Sequence, residues 1–140
     1  MKRTGNAVWN GDLKTGQGRL TTGSGVLKDT PYGFKTRFED APGTNPEELI
    51  GAAHAGCYSM ALSMILGEDD LTPEEIRTQA DMTLEKSGDG FEITAINLKV
   101  RAKIPGASGE AFEKAAEAAK SGCPVSKLVN AKISLDAALD

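Results

Sequence analysis

The feature that most constrains this chain is an uncharged segment that runs from Leu49 to Gly67. Signals for the start of a helix stand directly before it. Asn45 is a good N-cap, Pro46 suits the first helical position, and the two glutamates that follow favour the positive end of a helix dipole. Gly67 is a typical terminating residue. We therefore predict one long helix that ends at Leu66.

Nearly every face of this helix is free of charge, so we expect it to be buried on almost all sides. The predicted apolar stripe at helical spacing comprises Ile50, Ala53, Cys57, Met60, Ala61 and Met64. The segment approaches membrane-spanning length, but His54, Ser59 and several glycines favour a soluble core helix. No apolar stretch follows the basic N-terminus, so no signal peptide and a cytoplasmic location are expected.

The other elements predict an α+β fold in a single domain, residues 1–140, with antiparallel strands around segregated helices. A hairpin signal at Ser87-Gly88-Asp89-Gly90 joins two predicted long strands. These two strands are predicted at 76–86 and 91–104, and further strands are predicted at 6–10, 19–22, 32–38 and 131–135. Helical segments are predicted after Pro73, over 106–121 with an inner stripe of Phe112, Ala115, Ala116 and Ala119, and from Cys123 onward.

Charge and composition remove several classes of function. The net charge is -4 and the basic residues are scattered, whereas nucleic-acid binding needs a concentrated basic face. The single histidine, His54, and two cysteines give at most three soft ligands without paired Cys-x-x-Cys spacing, so no metal is expected. No glycine-rich phosphate loop follows a strand, which leaves nucleotide cofactors without support.

The two cysteines, Cys57 and Cys123, are the best chemical candidates. A permanent disulfide is disfavoured in the cytosol, which leaves inert buried thiols or a transient redox pair. Cys123 begins a predicted helix, where free backbone N–H groups favour a thiolate. Cys57 lies in mid-helix, so local chemistry makes Cys123 the more activated thiol. His54 stands three residues before Cys57 and either activates it or is a hydrogen-bonded core residue, which we favour.

Three blocks resemble the osmotically inducible protein C branch of the OsmC/Ohr hydroperoxide reductases. They are Pro31-Tyr32-Gly33-Phe34-Lys35-Thr36-Arg37-Phe38-Glu39, the segment from Gly43 to Cys57, and Gly122-Cys123-Pro124-Val125-Ser126. The resemblance extends over essentially the whole chain. It implies an OsmC-like fold, an intertwined homodimer with shared active sites, and a role in oxidative and osmotic stress.

The resemblance also implies the chemistry. Cys57 is then the peroxidatic thiol and Cys123 the resolving one, Arg37 holds the Cys57 thiolate, and Glu47 orients Arg37. Organic hydroperoxides are the implied substrates, with hydrogen peroxide reduced less well. A dithiol of the lipoyl type is the implied reductant, and no cofactor is required.

Helix geometry adds a condition to these implied roles. Glu47 and Cys57 are ten residues apart on one predicted helix, which separates their backbones by ~15 Å along the axis. A Glu–Arg pair would hardly reach its own thiol, so we expect Arg37 and Glu47 of one chain to complete the site around Cys57 of another. Two readings from other classes stay open, an apolar-ligand carrier and a structural stress protein with inert thiols.

Overall fold

The computed structural model describes all 140 residues, which form two compact units. One unit comprises Met1–Leu49 and the other Ile50–Asp140. Each is described by itself below. The elements include both helices and two three-stranded sheets, so the α+β prediction is confirmed. The single domain stays a prediction.

The N-terminal unit is built on a small antiparallel sheet. Its strands pair in chain order, and a short helix follows them: β1 (Gly5–Asn10), β2 (Gln17–Thr22), β3 (Thr30–Tyr32) and α1 (Phe34–Phe38). No apolar side chain of this unit is buried; its buried residues are Gly18, Thr44 and Glu47. Five large apolar side chains are exposed instead, Met1, Val8, Trp9, Leu13 and Val26.

The strand predicted over 32–38 is wrong, because its second part is the helix α1. The aromatic spacing that suggested a strand also satisfies a helix, since Phe34 and Phe38 are four residues apart and their tilted rings are in contact, with centroids 4.9 Å apart. Thr36 decides the outcome locally. Its hydroxyl accepts from the Gly33 N–H at 2.9 Å and donates to the Gly33 carbonyl at 3.0 Å, which fixes the first helical turn.

The predicted long helix is present as α2 (Pro46–Glu68). Its start is as expected, because Oδ1 of Asn45 accepts a hydrogen bond of 2.8 Å from the Glu48 N–H. The predicted stop at Leu66 is slightly early, since Gly67 lies within the last turn.

The predicted facing of α2 is wrong. The buried line is Gly51, His54, Tyr58, Leu62 and Leu66, whereas Ala53, Met60 and Met64 of the predicted stripe are exposed. The apolar pattern mispredicted the buried face because polar side chains of α2 are buried where they find hydrogen-bond partners. The Tyr58 hydroxyl, for example, donates to the Ala116 carbonyl at 3.1 Å. Burial on nearly all sides is also not observed. An open face remains, formed by Ala52, Ala53, Gly56, Met60, Ser63 and Met64.

The sheet of the C-terminal unit is mixed rather than purely antiparallel. Strands β4 (Glu75–Ser87) and β5 (Gly90–Lys103) form the predicted hairpin, and β6 (Lys132–Leu139) pairs with β5 in parallel. Ile96, Leu98 and Val100 of β5 are wholly buried and alternate with less buried neighbours. The helical turn predicted after Pro73 does not form; that segment leads directly into β4.

Two further helices complete this unit, α3 (Gly109–Gly122) and α4 (Pro124–Leu128). The inner stripe predicted for α3 is confirmed, because Phe112, Ala115, Ala116 and Ala119 are all buried. They join Tyr58, Leu62 and Leu66 of α2 and the buried residues of β5 in one core.

By length and composition, α2 is the one helix apolar enough to cross a membrane. Three of its large side chains, Tyr58, Leu62 and Leu66, belong to the core of the C-terminal unit. Of the apolar window of α2, 28% is buried inside the structure.

Candidate active site

The structure brings the two cysteines together in the C-terminal unit. Both are free thiols, and the Cys123 Sγ lies 3.0 Å from the Cys57 Sγ in a sulfur–sulfur hydrogen bond, although 66 positions separate them in the chain. Cys57 is half-buried on α2, whereas Cys123 is wholly buried between α3 and α4. At this separation a small shift of either side chain permits a covalent bond between the sulfurs.

Cys123 occupies the position that its sequence predicted, the N-cap of α4. Its Sγ accepts a hydrogen bond from the Ser126 N–H at 3.4 Å. Burial raises the pKa of the Cys123 thiol, but hydrogen bonds from Cys57, from the backbone and side chain of Ser126 and from the Val125 N–H outweigh burial. The pKa of Cys123 therefore lies below that of an ordinary thiol.

Cys57 is the less acidic partner within this unit. Burial raises the pKa of its thiol, the hydrogen bond and charge of Cys123 raise it further, and the Val125 N–H opposes them only in part. The local chemistry read from the sequence is confirmed, because Cys123 is the better stabilised thiolate. A thiolate at Cys57 requires a positive charge that the neighbouring sulfur does not supply.

His54 is a hydrogen-bonded core residue, as we favoured, and its hydrogen bond is made with Ser126. The imidazole is fully buried and its Nε2 lies 2.7 Å from the Ser126 Oγ. Its Nδ1 is buried without a hydrogen-bond partner. Burial lowers the pKa of His54, so the ring is neutral at physiological pH.

Arg37 and Glu47 form an ion pair in the N-terminal unit. The Arg37 Nη2 donates to the Glu47 Oε1 at 2.7 Å, and the Arg37 Nε donates to the same oxygen at 3.0 Å. Glu47 is buried and the Arg37 side chain is 38% exposed. The guanidinium also lies over the Phe38 ring, 5.2 Å from its centroid. These contacts fix the cation in one orientation while leaving part of it accessible.

A small cavity of about 160 Å³ adjoins this ion pair. Its walls are mostly apolar and aromatic, and Arg37 supplies the cation; the lining residues are Trp9, Leu13, Tyr32, Gly33, Phe34, Arg37, Phe38 and Pro46. The cavity combines an apolar surface with a partly exposed guanidinium. That combination suits a small apolar molecule that carries a polar or anionic oxygen.

Sequence reasoning missed Ser126 as a site residue. The signal that was available is its position three residues after the N-cap Cys123, where a backbone N–H is directed at the capping side chain. Its side-chain contact with His54 joins residues 72 positions apart. No local pattern reports such a contact.

Comparison with known proteins agrees with these features. The sequence model of the family described as OsmC-like protein matches residues 38–137. Peroxiredoxin OsmC of Escherichia coli K12 is 53% identical over 136 residues, which are 97% of this chain and 95% of that protein. The organic hydroperoxide resistance protein OhrB of Bacillus subtilis is 30% identical over 83% of this chain and 84% of that protein.

Solved structures give the same fold. An OsmC-like protein of unknown function from Vibrio cholerae superposes with a TM-score of 0.78 at 15% identity, over 99% of each chain. The OhrB structure from Bacillus subtilis superposes with a TM-score of 0.64 at 25% identity, over 98% of each chain.

Fold and site together define an α+β protein with two adjacent free thiols, one half-buried and one wholly buried. The family match covers well over half of the sequence and extends through both cysteines. The chain belongs to the OsmC-like protein family.

Proposed function

We propose that this chain reduces organic hydroperoxides, with Cys57 as the attacking thiol and Cys123 as the resolving thiol. The chain is a cysteine-based peroxidase of the peroxide stress response, in line with the peroxiredoxin and organic hydroperoxide resistance proteins to which it is similar. The observation that carries the assignment of the two thiols is their 3.0 Å separation as free cysteines. A half-buried sulfur beside a wholly buried one fits an attacking and a resolving thiol.

The proposed reaction has two steps on these sulfurs. The Cys57 thiolate attacks one peroxide oxygen, the O–O bond breaks, and the alkoxide leaves and takes up a proton as an alcohol. Cys57 is then a sulfenic acid. Cys123 displaces its hydroxyl group as water, and a Cys57–Cys123 disulfide remains until an external dithiol reduces it.

Arg37 is proposed to supply the charge that Cys57 lacks. Burial and the neighbouring Cys123 raise the pKa of Cys57, so a cation at this sulfur is needed for attack at neutral pH. Glu47 holds the guanidinium through two short hydrogen bonds, while part of the guanidinium stays accessible. The remaining N–H groups of Arg37 can donate hydrogen bonds both to a thiolate and to the departing oxygen.

The cavity beside Arg37 supports an organic rather than an inorganic peroxide. Aromatic and apolar side chains, among them Trp9, Leu13 and Phe34, form its walls. Burial of an alkyl group there contributes binding free energy that hydrogen peroxide cannot gain. Met60 and Met64 are not part of this cavity; they are exposed on the open face of α2.

A homodimer with shared sites is part of the proposal. The helix α2 is unbroken from Pro46 to Glu68, so the ~15 Å between Glu47 and Cys57 along its axis holds. The open face of α2 presents Met60 and Met64 at 76% and 65% exposure, beside small residues that permit close packing. A second copy covers this face and brings its Arg37 to the first chain's Cys57.

The reductant and the location complete the proposal. A dithiol of the lipoyl type would reduce the disulfide, because two linked thiols complete the exchange without a trapped mixed disulfide. The family resemblance favours this reductant. A reducing compartment would return both thiols to the free state after each cycle, and the cytoplasm is the compartment proposed here.

Steady-state kinetics with tert-butyl hydroperoxide and hydrogen peroxide, each with dihydrolipoamide and with a monothiol, test the assignment. We expect the highest kcat/KM for the alkyl peroxide with the dithiol. Cys57→Ser should abolish turnover, whereas Cys123→Ser should consume one equivalent of peroxide per chain and then stop. Full turnover by Cys57→Ser would refute the proposed function, and saturable lipid binding indifferent to both substitutions would favour a carrier.

Subunit complementation tests the shared site. Arg37→Met keeps a usable Cys57 and Cys57→Ser keeps a usable Arg37, so a mixed dimer contains one complete site if the two residues meet across the interface. Equal co-expression of two such inactive chains should recover about a quarter of the wild-type activity, since half of the dimers are mixed. No recovery in verified mixed dimers would place both residues of a site in one chain.

A further inference from the structure

The buried contact between His54 and Ser126 has no part in the peroxide chemistry described so far. His54 belongs to the buried line of α2 and Ser126 to α4, and their side chains meet at 2.7 Å. His54 is 0% exposed and Ser126 is 8% exposed. A hydrogen bond at such a buried site fixes both side chains, because neither has water as an alternative partner.

The position of the imidazole proton follows from the surroundings of the ring. The Nδ1 is buried without a partner, and a buried N–H without an acceptor costs more than an unused lone pair. The proton therefore lies on Nε2, which donates to the Ser126 Oγ. Since Ser126 accepts from the ring, its own hydroxyl proton is free to be donated elsewhere.

The Cys123 sulfur lies beside this serine, because the Ser126 backbone N–H donates to it at 3.4 Å. The Ser126 side chain also lowers the pKa of the Cys123 thiol, as a hydroxyl directed at the sulfur would. The His54–Ser126 contact and this backbone hydrogen bond therefore place the Ser126 hydroxyl between the His54 Nε2 and the neighbourhood of the Cys123 Sγ.

We propose that His54 is a positioning residue for the resolving step, in which it acts through Ser126 to hold a hydroxyl donor against the Cys123 sulfur. This inference rests on the proposed function and deepens it. Burial of a ring nitrogen without a hydrogen-bond partner costs free energy that an apolar side chain at this position would not cost. The imidazole does, however, orient a serine hydroxyl that would otherwise rotate freely.

The step that benefits is disulfide formation. The S–O bond of the Cys57 sulfenic acid breaks as the S–S bond forms; the Cys57 sulfur is reduced and the Cys123 sulfur is oxidised. The hydroxyl group leaves with the proton of the Cys123 thiol as water. His54 and Ser126 neither gain nor lose a proton, because their contribution is to favour the thiolate and to hold it toward Cys57.

Cys57 is the titratable group in contact with Cys123, because the charged groups on the surrounding helices are paired with each other or exposed. On α3, Lys120 pairs with Glu117 at 2.8 Å, and Lys127 of α4 is exposed. Burial keeps His54 neutral. A change in the pH dependence of the resolving step therefore reports on the donors at Cys123 itself.

A single-turnover experiment with the full chain separates the two steps. One equivalent of tert-butyl hydroperoxide is added, and peroxide consumption and disulfide formation are followed as successive phases across pH. We expect Ser126→Ala and His54→Leu to leave the first phase unchanged and to slow the second about tenfold, as expected for a lost hydrogen bond to a charged sulfur. The second phase should also reach its plateau at higher pH.

Conservative variants provide the matched controls. His54→Gln retains an N–H donor and Ser126→Thr retains the hydroxyl, so both should recover most of the second phase. Circular dichroism checks the fold of each variant; if His54→Leu does not fold, Ser126→Ala decides alone. An unchanged second phase in folded Ser126→Ala, or no recovery with the conservative variants, would overturn the inference. A wild-type chain without a first phase would instead overturn the proposed function.

Discussion

The two units of this chain differ in what holds them together. The C-terminal unit, Ile50–Asp140, encloses a core of wholly buried side chains such as Tyr58, Leu62 and Phe112. The N-terminal unit, Met1–Leu49, buries no apolar side chain and exposes Val8, Trp9, Leu13 and Val26. Burial of apolar surface is the main stabilising contribution to folding. The C-terminal unit therefore has a source of stability that the N-terminal unit lacks within a single chain.

The chemistry is divided in the same way. The C-terminal unit holds both thiols and the hydrogen bonds that favour a Cys123 thiolate, so it contains the parts for disulfide formation. The N-terminal unit holds the Arg37–Glu47 pair, the cation proposed for peroxide attack. In the proposed mechanism, peroxide attack needs residues of both units whereas resolution needs only the C-terminal unit, so the two steps should be separable by mutation.

The largest effect is expected from removal of the cation. Arg37→Met should lower kcat/KM for an alkyl hydroperoxide by ~10²–10³-fold, the usual loss for one charge-stabilising donor. Burial raises the pKa of Cys57, so the thiolate fraction grows only as the pH rises above the ordinary thiol range. The variant's rate should therefore keep rising with pH where that of the wild type is flat, as stopped-flow pH profiles would show.

Arg37→Lys is the control for that experiment. It keeps the charge but not the two parallel donors to Glu47, so an intermediate rate is expected. Alkylation of Cys123 in the Cys57→Ser background should not respond to either substitution. A pH profile unchanged by Arg37→Met would contradict the proposal that the N-terminal unit supplies the cation for peroxide attack.

A matched pair of leucines measures the structural side of the comparison. Leu62→Ala in the C-terminal core should lower the free energy of unfolding by about 2–5 kcal/mol, because it leaves a cavity among buried side chains. Leu13→Ala in the N-terminal unit, 64% exposed, should cost under about 0.5 kcal/mol in a dissociated chain. Urea unfolding at several protein concentrations makes the measurement.

The concentration series sharpens this prediction. If a second copy covers the N-terminal unit, the cost of Leu13→Ala should grow as dimers form, whereas that of Leu62→Ala should hardly change. Equal costs for the two leucines at low concentration would contradict the difference drawn between the units.

A charge on the open face of α2 should weaken the proposed dimer. Met60→Glu would bury an unpaired carboxylate at the interface, and we expect the dissociation constant to rise at least tenfold. Ala118→Glu adds the same charge to an exposed position of α3 and should have no effect. Sedimentation velocity measures both, and equal behaviour of the two variants would remove α2 from the interface.

A small loss of folding stability is expected from a substitution at the start of α2. Asn45→Ala removes the side-chain oxygen that accepts from the Glu48 N–H, and it should cost about 1 kcal/mol of stability. Asn45→Asp keeps an acceptor and should be nearly neutral. Thermal unfolding of both variants checks the prediction. A large loss of stability in both would contradict it. The side-chain N–H of Asn45 that donates to the Thr36 carbonyl would then contribute more to stability than the side-chain oxygen.

Local patterns predicted much of the fold, since they depend on neighbours in the chain. The inner stripe of α3, the N-cap at Asn45 and the β4–β5 hairpin were all readable from residue types and spacing. The segment from Phe34 to Phe38 was misread because its aromatic spacing satisfies both a strand and a helix. The parallel pairing of β6 with β5 was missed because it depends on the whole connection between them.

The site shows the same limit. The Gly-Cys-Pro start of α4 predicted the environment of Cys123 correctly, because a capping position is a local property. The proximity of Cys57 to Cys123, and of Arg37 to Glu47, came only from the family resemblance. The facing of α2 was wrong because Tyr58 and His54 find polar partners far away in the chain, which no local hydrophobic pattern reports.

In the proposed catalytic cycle, the unequal burial of the two thiols sets the route by which the disulfide is reduced. Cys57 is partly accessible and Cys123 is wholly enclosed, so an incoming dithiol meets the Cys57 sulfur first. The mixed disulfide then forms at Cys57, and Cys123 is the leaving group. Thiols of low pKa leave faster, and the hydrogen bonds that lower the pKa of Cys123 therefore also speed its release. One set of donors thus serves both the formation and the opening of the same bond.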